Sequence, residues 1–160
     1  MPIQIFTTGG TIDKVYFDQK DAYQVGRTVI DEVLAEANVT FEYACEALLR
    51  KDSLELDEAD RQLIFDRVRT TPKRHVIITH GTDTMVKTAQ KLLPILDKTI
   101  VLTGSMRPAR FRLSDAAFNV GYALGAVQRL GAGVYIAMNG RIFDPQTAHK
   151  NVERNRFEQV

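Results

Sequence analysis

"HVIITHGTDTM", residues 75–85, decides how this chain is read. Val76 to Ile78 form a continuous apolar run. A loop of threonine, histidine, glycine and aspartate closes it. Such a run, bounded by turn residues, predicts a strand buried on both faces. "DTMVKTAQKLLPIL" (83–96) then has helical character and ends or bends near Pro94.

The same strand–loop–helix grammar appears on either side. Upstream, "IQIFTT" (3–8) is apolar and β-branched and runs into Gly9, Gly10 and Thr11. Downstream, "TIVLTGSMRP" (99–108) is a third copy, and Ser114 is placed to cap the helix "SDAAFNVGYALGAVQRL" (114–130). Between the first two copies, "TVIDEVLAEAN" (28–38) spaces Val29, Ile30, Val33, Leu34 and Ala37 as one helical face. "VTFEYACEAL" (39–48) alternates Val39, Phe41, Tyr43 and Cys45, the period of a strand. "RKDSLEL" (50–56) reads as a polar break, and Asp57 as the cap of a helix over 57–69. Residues 11–26 read as an ordered loop or loose hairpin, "GVYIAMNG" (133–140) as a last strand, and 141–160 as an irregular polar tail.

Strands are therefore expected at Ile3–Thr7, Val39–Glu46, His75–Thr79, Thr99–Thr103 and Gly133–Met138. The βα alternation predicts an α/β fold: three layers, a mostly parallel sheet with helices on both faces, flavodoxin- or Rossmann-like. With 160 residues, no repeats and no linker, one domain over 1–160 is expected.

Composition removes several classes of function. Net charge is +1, so no global field gathers nucleic acid or anionic membrane. Cys45 is the only cysteine, which excludes an internal disulfide framework or a thiolate metal cluster and fits a reducing compartment. His75, His80 and His149 have no zinc-ligand spacing, so no metal is expected. His80 reads as a loop organiser. No Walker lysine follows "TTGGT" and no G-x-G-x-x-G occurs, so no nucleotide cofactor is expected. The start lacks a signal-peptide pattern and no segment approaches a membrane span, which makes the cytoplasm the expected location.

Parallel strands bring "TTGGT", "THGTDT" and "TGSM" to one sheet edge, where open α/β sheets bind ligands. With no G-x-S-x-G elbow, and with Cys45 in an alternating strand, threonine is the remaining nucleophile type. A threonine hydroxyl needs a base. Asp83 and, if the tail folds back, Lys150 are the candidates on that edge. Tyr16 and Tyr23 lie on the segment after Thr11, where they either close on substrate or cover the sheet edge.

These motifs resemble the bacterial-type, threonine-nucleophile L-asparaginases. "TTGGTI" is similar to the first signature of that family, "ITHGTDTM" to the second, and "TGSMRP" with "SDAAFNV" to a third segment. The resemblance covers the chain to about Lys150 and corresponds to the family's N-terminal domain; the usual C-terminal domain has no counterpart. It implies an amidohydrolase that releases ammonia from L-asparagine or a related small amide. It places Thr11 as nucleophile, assisted by Tyr23, with Thr82, Asp83 and Lys150 as a second catalytic triad. Gly10, Ser53, Thr82, Asp83 and Ser105 fall at substrate-binding positions, with backbone N–H groups around Gly10 and Thr82 facing the oxyanion and Asp83 pairing with the substrate ammonium. It further implies a homo-oligomer, dimer or tetramer. Leu54 stands where the family has a glutamine, and no acid is evident to complete the Thr11–Tyr23 pair. The alternatives are a non-catalytic amino-acid or amide-binding module and a subunit whose missing acid comes from a partner.

Overall fold

The computed structural model describes residues 1–17 and 22–160. Its centre is a six-stranded sheet of β1 (Ile3–Gly9), β4 (Tyr43–Lys51), β5 (His75–Thr79), β6 (Thr99–Thr103), β7 (Gly133–Met138) and β8 (Arg141–Phe143). The spatial order is β4-β1-β5-β6-β7-β8. The first five strands run parallel, and β8 turns back antiparallel on β7. Numbered along the chain, the parallel strands lie 2-1-3-4-5, the flavodoxin-like order.

Strand alternation sorts the core into two layers. Phe6, Val76, Ile78, Ile100, Leu102 and Ile136 point to one face. There they meet Ile64 and Val68 of α2 (Glu58–Thr70), and Met85, Ala89 and Leu92 of α3 (Met85–Leu92). Ile3, Ile5, Ile77, Val101 and Ala137 point to the other. They meet Ile30 and Leu34 of α1 (Ile30–Glu36), and Val120, Ala123 and Val127 of α4 (Ala116–Arg129). Neighbours such as Ile5 and Phe6 are thus both buried, each worth about 2 kcal/mol against exposure. This is why the strands read as unbroken apolar runs.

The structure departs from the sequence expectation in several places. The second strand is Tyr43–Lys51, not Val39–Glu46. Val39 and Phe41 do pack on the α1/α4 layer, but pairing begins only where Ile3 meets Tyr43. The supposed polar break supplies the end of this edge strand, with Gly9 opposite Lys51. Asp57 caps α2 as expected, in a reciprocal box with Asp60. α4 begins at Ala116 with Asp115 as its N-cap; the Ser114 hydroxyl accepts from the Ala116 amide at 3.1 Å. Finally, the tail is ordered: β9 (Ala148–Asn151) and β10 (Arg156–Gln159) pair antiparallel, seated by buried Ala148 and Phe157.

A short 3-10 turn (Thr11–Asp13) follows β1. It opens into an antiparallel hairpin of β2 (Lys14–Phe17) and β3 (Ala22–Val25). Of the ordered loop or loose hairpin expected over 11–26, the hairpin forms; residues 18–21 lie outside the described residues. No helix among the described residues is long and apolar enough to cross a membrane.

Candidate active site

The strand order reverses between β1 and β5, and at this switch point an open α/β sheet leaves a crevice beyond its carboxyl ends. The loops that follow are "GGT" after β1 and "HGTDT" after β5. Thr8 Oγ1 ties the strand ends, donating to the Thr79 carbonyl at 2.8 Å.

Glycine sets how closely the loops approach. Gly10 has φ +86°, and a Cβ there would lie 2.4 Å from the Gly81 amide nitrogen. A Cβ on Gly81 would lie 2.6 Å from Ser53 Cβ. The Thr11 and Thr82 loops therefore stack backbone to backbone, and the Ser53 side chain packs directly on Gly81, with no room for a further side chain at either contact. Ser53 is buried; its hydroxyl accepts from the Thr84 amide at 3.3 Å, and its carbonyl accepts from Thr84 Oγ1 at 2.7 Å.

His80 fixes the second loop from beneath. It is fully buried between the Gly81 carbonyl, 2.7 Å from Nδ1, and Thr88 Oγ1, 2.8 Å from Nε2. A carbonyl only accepts, so Nδ1 carries the proton and Nε2 accepts from Thr88. Burial pushes the imidazole down to about 4, so it is neutral at physiological pH. His80 is the loop organiser that the sequence anticipated.

Lys150 arrives from β9. Its Nζ donates to Thr82 Oγ1 at 2.8 Å and to Asp83 Oδ1 at 2.7 Å. The lysine side chain is 16% exposed and that of Asp83 39%. A half-open pair of this kind adds about 1 kcal/mol or less to stability. What the contacts define is position: an amine held against a hydroxyl, with a carboxylate behind it. Asp52 lies within the field of Lys150 and is ion-paired to Lys14 at 2.9 Å. Together with its hydrogen bond from the Leu54 amide, these cations outweigh the effect of burial and hold the Asp52 carboxyl below its usual value.

The other expected residues are placed differently. Thr11 lies half-buried at the start of its turn. Tyr23 is 50% exposed on β3, with edge-to-face contacts to Tyr16 (5.4 Å) and Phe111 (5.6 Å). Among the described residues no hydrogen bond joins it to Thr11. The Gly10 amide, expected to face an oxyanion, donates instead to the Lys51 carbonyl at 2.9 Å, because this bond closes β1 against β4. Ser105 is buried and its hydroxyl donates to the Arg107 carbonyl, shaping its own loop. Asp83 meets Lys150.

Two features escaped the sequence reading. Asp115 accepts from the Met106 and Arg107 amides, and Asn119 Nδ2 donates to the Gly104 carbonyl and to Asp115. The "SDAAFN" segment thus clasps the "TGSM" loop. Asp13, two residues after Thr11, is a buried carboxylate; nothing in its neighbours signals that role. Among the described residues no group of three or more His, Cys, Asp or Glu side chains is placed to hold a metal ion.

Known proteins share this architecture. The family description "Asparaginase, N-terminal" matches residues 2–158. A glutaminase-asparaginase of Pseudomonas aeruginosa is 31% identical over 98% of this chain and 48% of its own length. One from Acinetobacter glutaminasificans is 30% identical over 94% of this chain and 50% of its own. The thermostable L-asparaginase from Thermococcus kodakarensis superposes with a TM-score of 0.86 at 26% identity, covering 100% of this chain and 51% of that one. The chain spans about half the length of the curated relatives it matches. With a flavodoxin-ordered sheet, stacked threonine loops at its switch point and a match over residues 2–158, the chain belongs to the asparaginase family, in the region of that family's N-terminal domain.

Proposed function

We propose that the protein is an asparaginase-like amidohydrolase, acting on the side-chain amide of L-asparagine or a related small amide. The observation that carries this reading is the contact of Lys150 with Thr82 and Asp83 beside the Thr11 turn. In this reading Thr11 Oγ1 attacks the amide carbon and loses its proton. The C–N bond breaks, and ammonia leaves carrying a proton. Water then cleaves the threonyl ester, returning the carboxylic acid and free Thr11. Tyr23 assists at Thr11. Lys150 moves a proton to or from Thr82 Oγ1 while Asp83 balances its charge. Family membership supports the reaction class. The close stacking of the loops supports Thr11 and Thr82 acting on one bound amide. We place the protein in the cytoplasm, as a homo-oligomer, with residues 1–160 acting as one α/β domain.

Ammonia release from a panel of L- and D-amino-acid amides and simple amides tests this, alongside Thr11→Ala and Lys150→Met. Turnover that Thr11→Ala abolishes and Lys150→Met lowers by about 10²–10⁴-fold is expected. No turnover of any amide by the wild type overturns the enzyme reading, and unchanged turnover in Thr11→Ala reassigns the nucleophile.

A second reading is a binding module or partner-dependent subunit. The half-exposed Tyr23, with no hydrogen bond to Thr11, favours it. Calorimetric binding of an amide without ammonia release distinguishes this case.

A further inference from the structure

The β2–β3 hairpin pairs only with itself and is not part of the six-stranded sheet. Its strand residues Tyr16, Ala22, Tyr23 and Gln24 are exposed. A ribbon of this kind takes its position from a few ties rather than from a packed face.

Several of those ties meet at Asp13. Its carbonyl accepts from the Gly26 amide at 2.8 Å, closing the base of the hairpin. Its Oδ1 accepts from the Val29 amide at 3.0 Å, where the chain enters α1. The Thr28 hydroxyl also bonds to this carboxyl. Asp13 is 2% exposed. Two further ties lie outside it: Lys14 to Asp52 at 2.9 Å, and Tyr23 against Phe111. We propose that Asp13 is a positioning residue, which sets where the Tyr23 hairpin sits relative to the Thr11 turn. The inference rests on the amide-hydrolase reading for its effect on rate, but not for its geometry.

The Asp13 carboxyl is the acceptor for both the Val29 amide and the Thr28 hydroxyl. Arg110, from the loop before α4, and Arg50, from β4, favour the carboxylate; the Cys45 thiol also faces it from β4. Burial outweighs them and pushes Asp13 up to about 6. Mild acid therefore turns one carboxyl oxygen into a hydroxyl; the other still accepts from the Val29 amide, as an asparagine oxygen would, while the Thr28 bond and the local charge beside the hairpin change.

NMR and kinetics test this. Asp13→Ala should weaken the Tyr23–Phe111 aromatic cross-peaks severalfold while the core signals persist. With Tyr23 misplaced, kcat should fall about tenfold or more, with KM within about twofold. Asp13→Asn should restore the cross-peaks and most of kcat. The Tyr23 signals of the wild type should shift between about pH 5 and 7, and those of Asp13→Asn should not. Unchanged cross-peaks in a folded Asp13→Ala overturn the proposal. If that variant does not fold, identical titration of Tyr23 in the wild type and Asp13→Asn overturns it. Cross-peaks lost in a protein that releases no ammonia from any amide leave Asp13 in its role and sink the hydrolase reading instead.

Discussion

Lys150 and Thr82, 68 residues apart, meet through a 2.8 Å hydrogen bond from Nζ to Oγ1. One belongs to the second threonine loop, the other to a short hairpin near the end of the chain. Their contact joins the β9–β10 hairpin to the switch point of the sheet.

Removing that amine should be nearly silent for stability and severe for turnover. Lys150→Met keeps the aliphatic stem and breaks a half-exposed pair worth about 1 kcal/mol or less. On the hydrolase reading Lys150 carries a proton, a role that contributes about 10²–10⁴-fold to rate, so kcat should fall within that range. Urea melts and ammonia release on the same preparation check both halves.

Gly10→Ala should do the reverse of a conservative change. The new methyl lands on the Gly81 backbone, and the residue must hold φ +86°. Left-handed strain and overpacking together should cost about 2–5 kcal/mol. Urea unfolding measures it; a loss below about 1 kcal/mol would mean that the loops separate easily.

Two buried groups should shape stability against pH in opposite directions. Asp13 rises from 3.8 to about 6 through burial, so its share is full below about pH 4 and is lost as pH climbs through 6. His80 drops from 6.5 to about 4 through burial, so its share is full above about pH 6.5 and is lost as pH falls through 4. Each swing is about 3 kcal/mol, and in the wild type they largely cancel between about pH 4 and 6.5. Asp13→Asn should unmask a steep fall in stability on the acid side. His80→Gln should show a rise there. Denaturation midpoints at several pH values decide it; parallel curves for all three proteins would sink the assignment.

Phe111→Ala removes the ring that Tyr23 touches from the opposite loop. Phe111 is 41% exposed, so the cost in stability should be about 1 kcal/mol. On the hydrolase reading, kcat should fall severalfold, and by less than in Asp13→Ala. Single-turnover kinetics on both variants would rank the two supports.

The layered fold was legible because strands buried on both faces write themselves as unbroken apolar runs. Val76–Ile78 and Ile100–Leu102 left no other reading. The edge strand was misplaced for the complementary reason. Arg50 and Lys51 sit on a strand with one neighbour, so charges there cost little and look like a loop. The closing hairpin went unseen because only Ala148 and Phe157 are buried among its strand residues, too few apolar positions to show a period. Lys150 was therefore reachable only on the condition that the tail folds back, or through motif resemblance. Asp13 could not be found at all: its meaning comes from Val29 and Gly26, partners that sequence proximity does not announce.

The late position of Lys150 keeps its amine apart from the scaffold. All five parallel strands are complete by Met138, and the threonine loops stack through their own backbones. The Lys150 amine is therefore supplied by a separate two-stranded sheet that joins the parallel scaffold from outside it. On the hydrolase reading, local opening of that hairpin would withdraw the amine from Thr82 without unfolding the sheet.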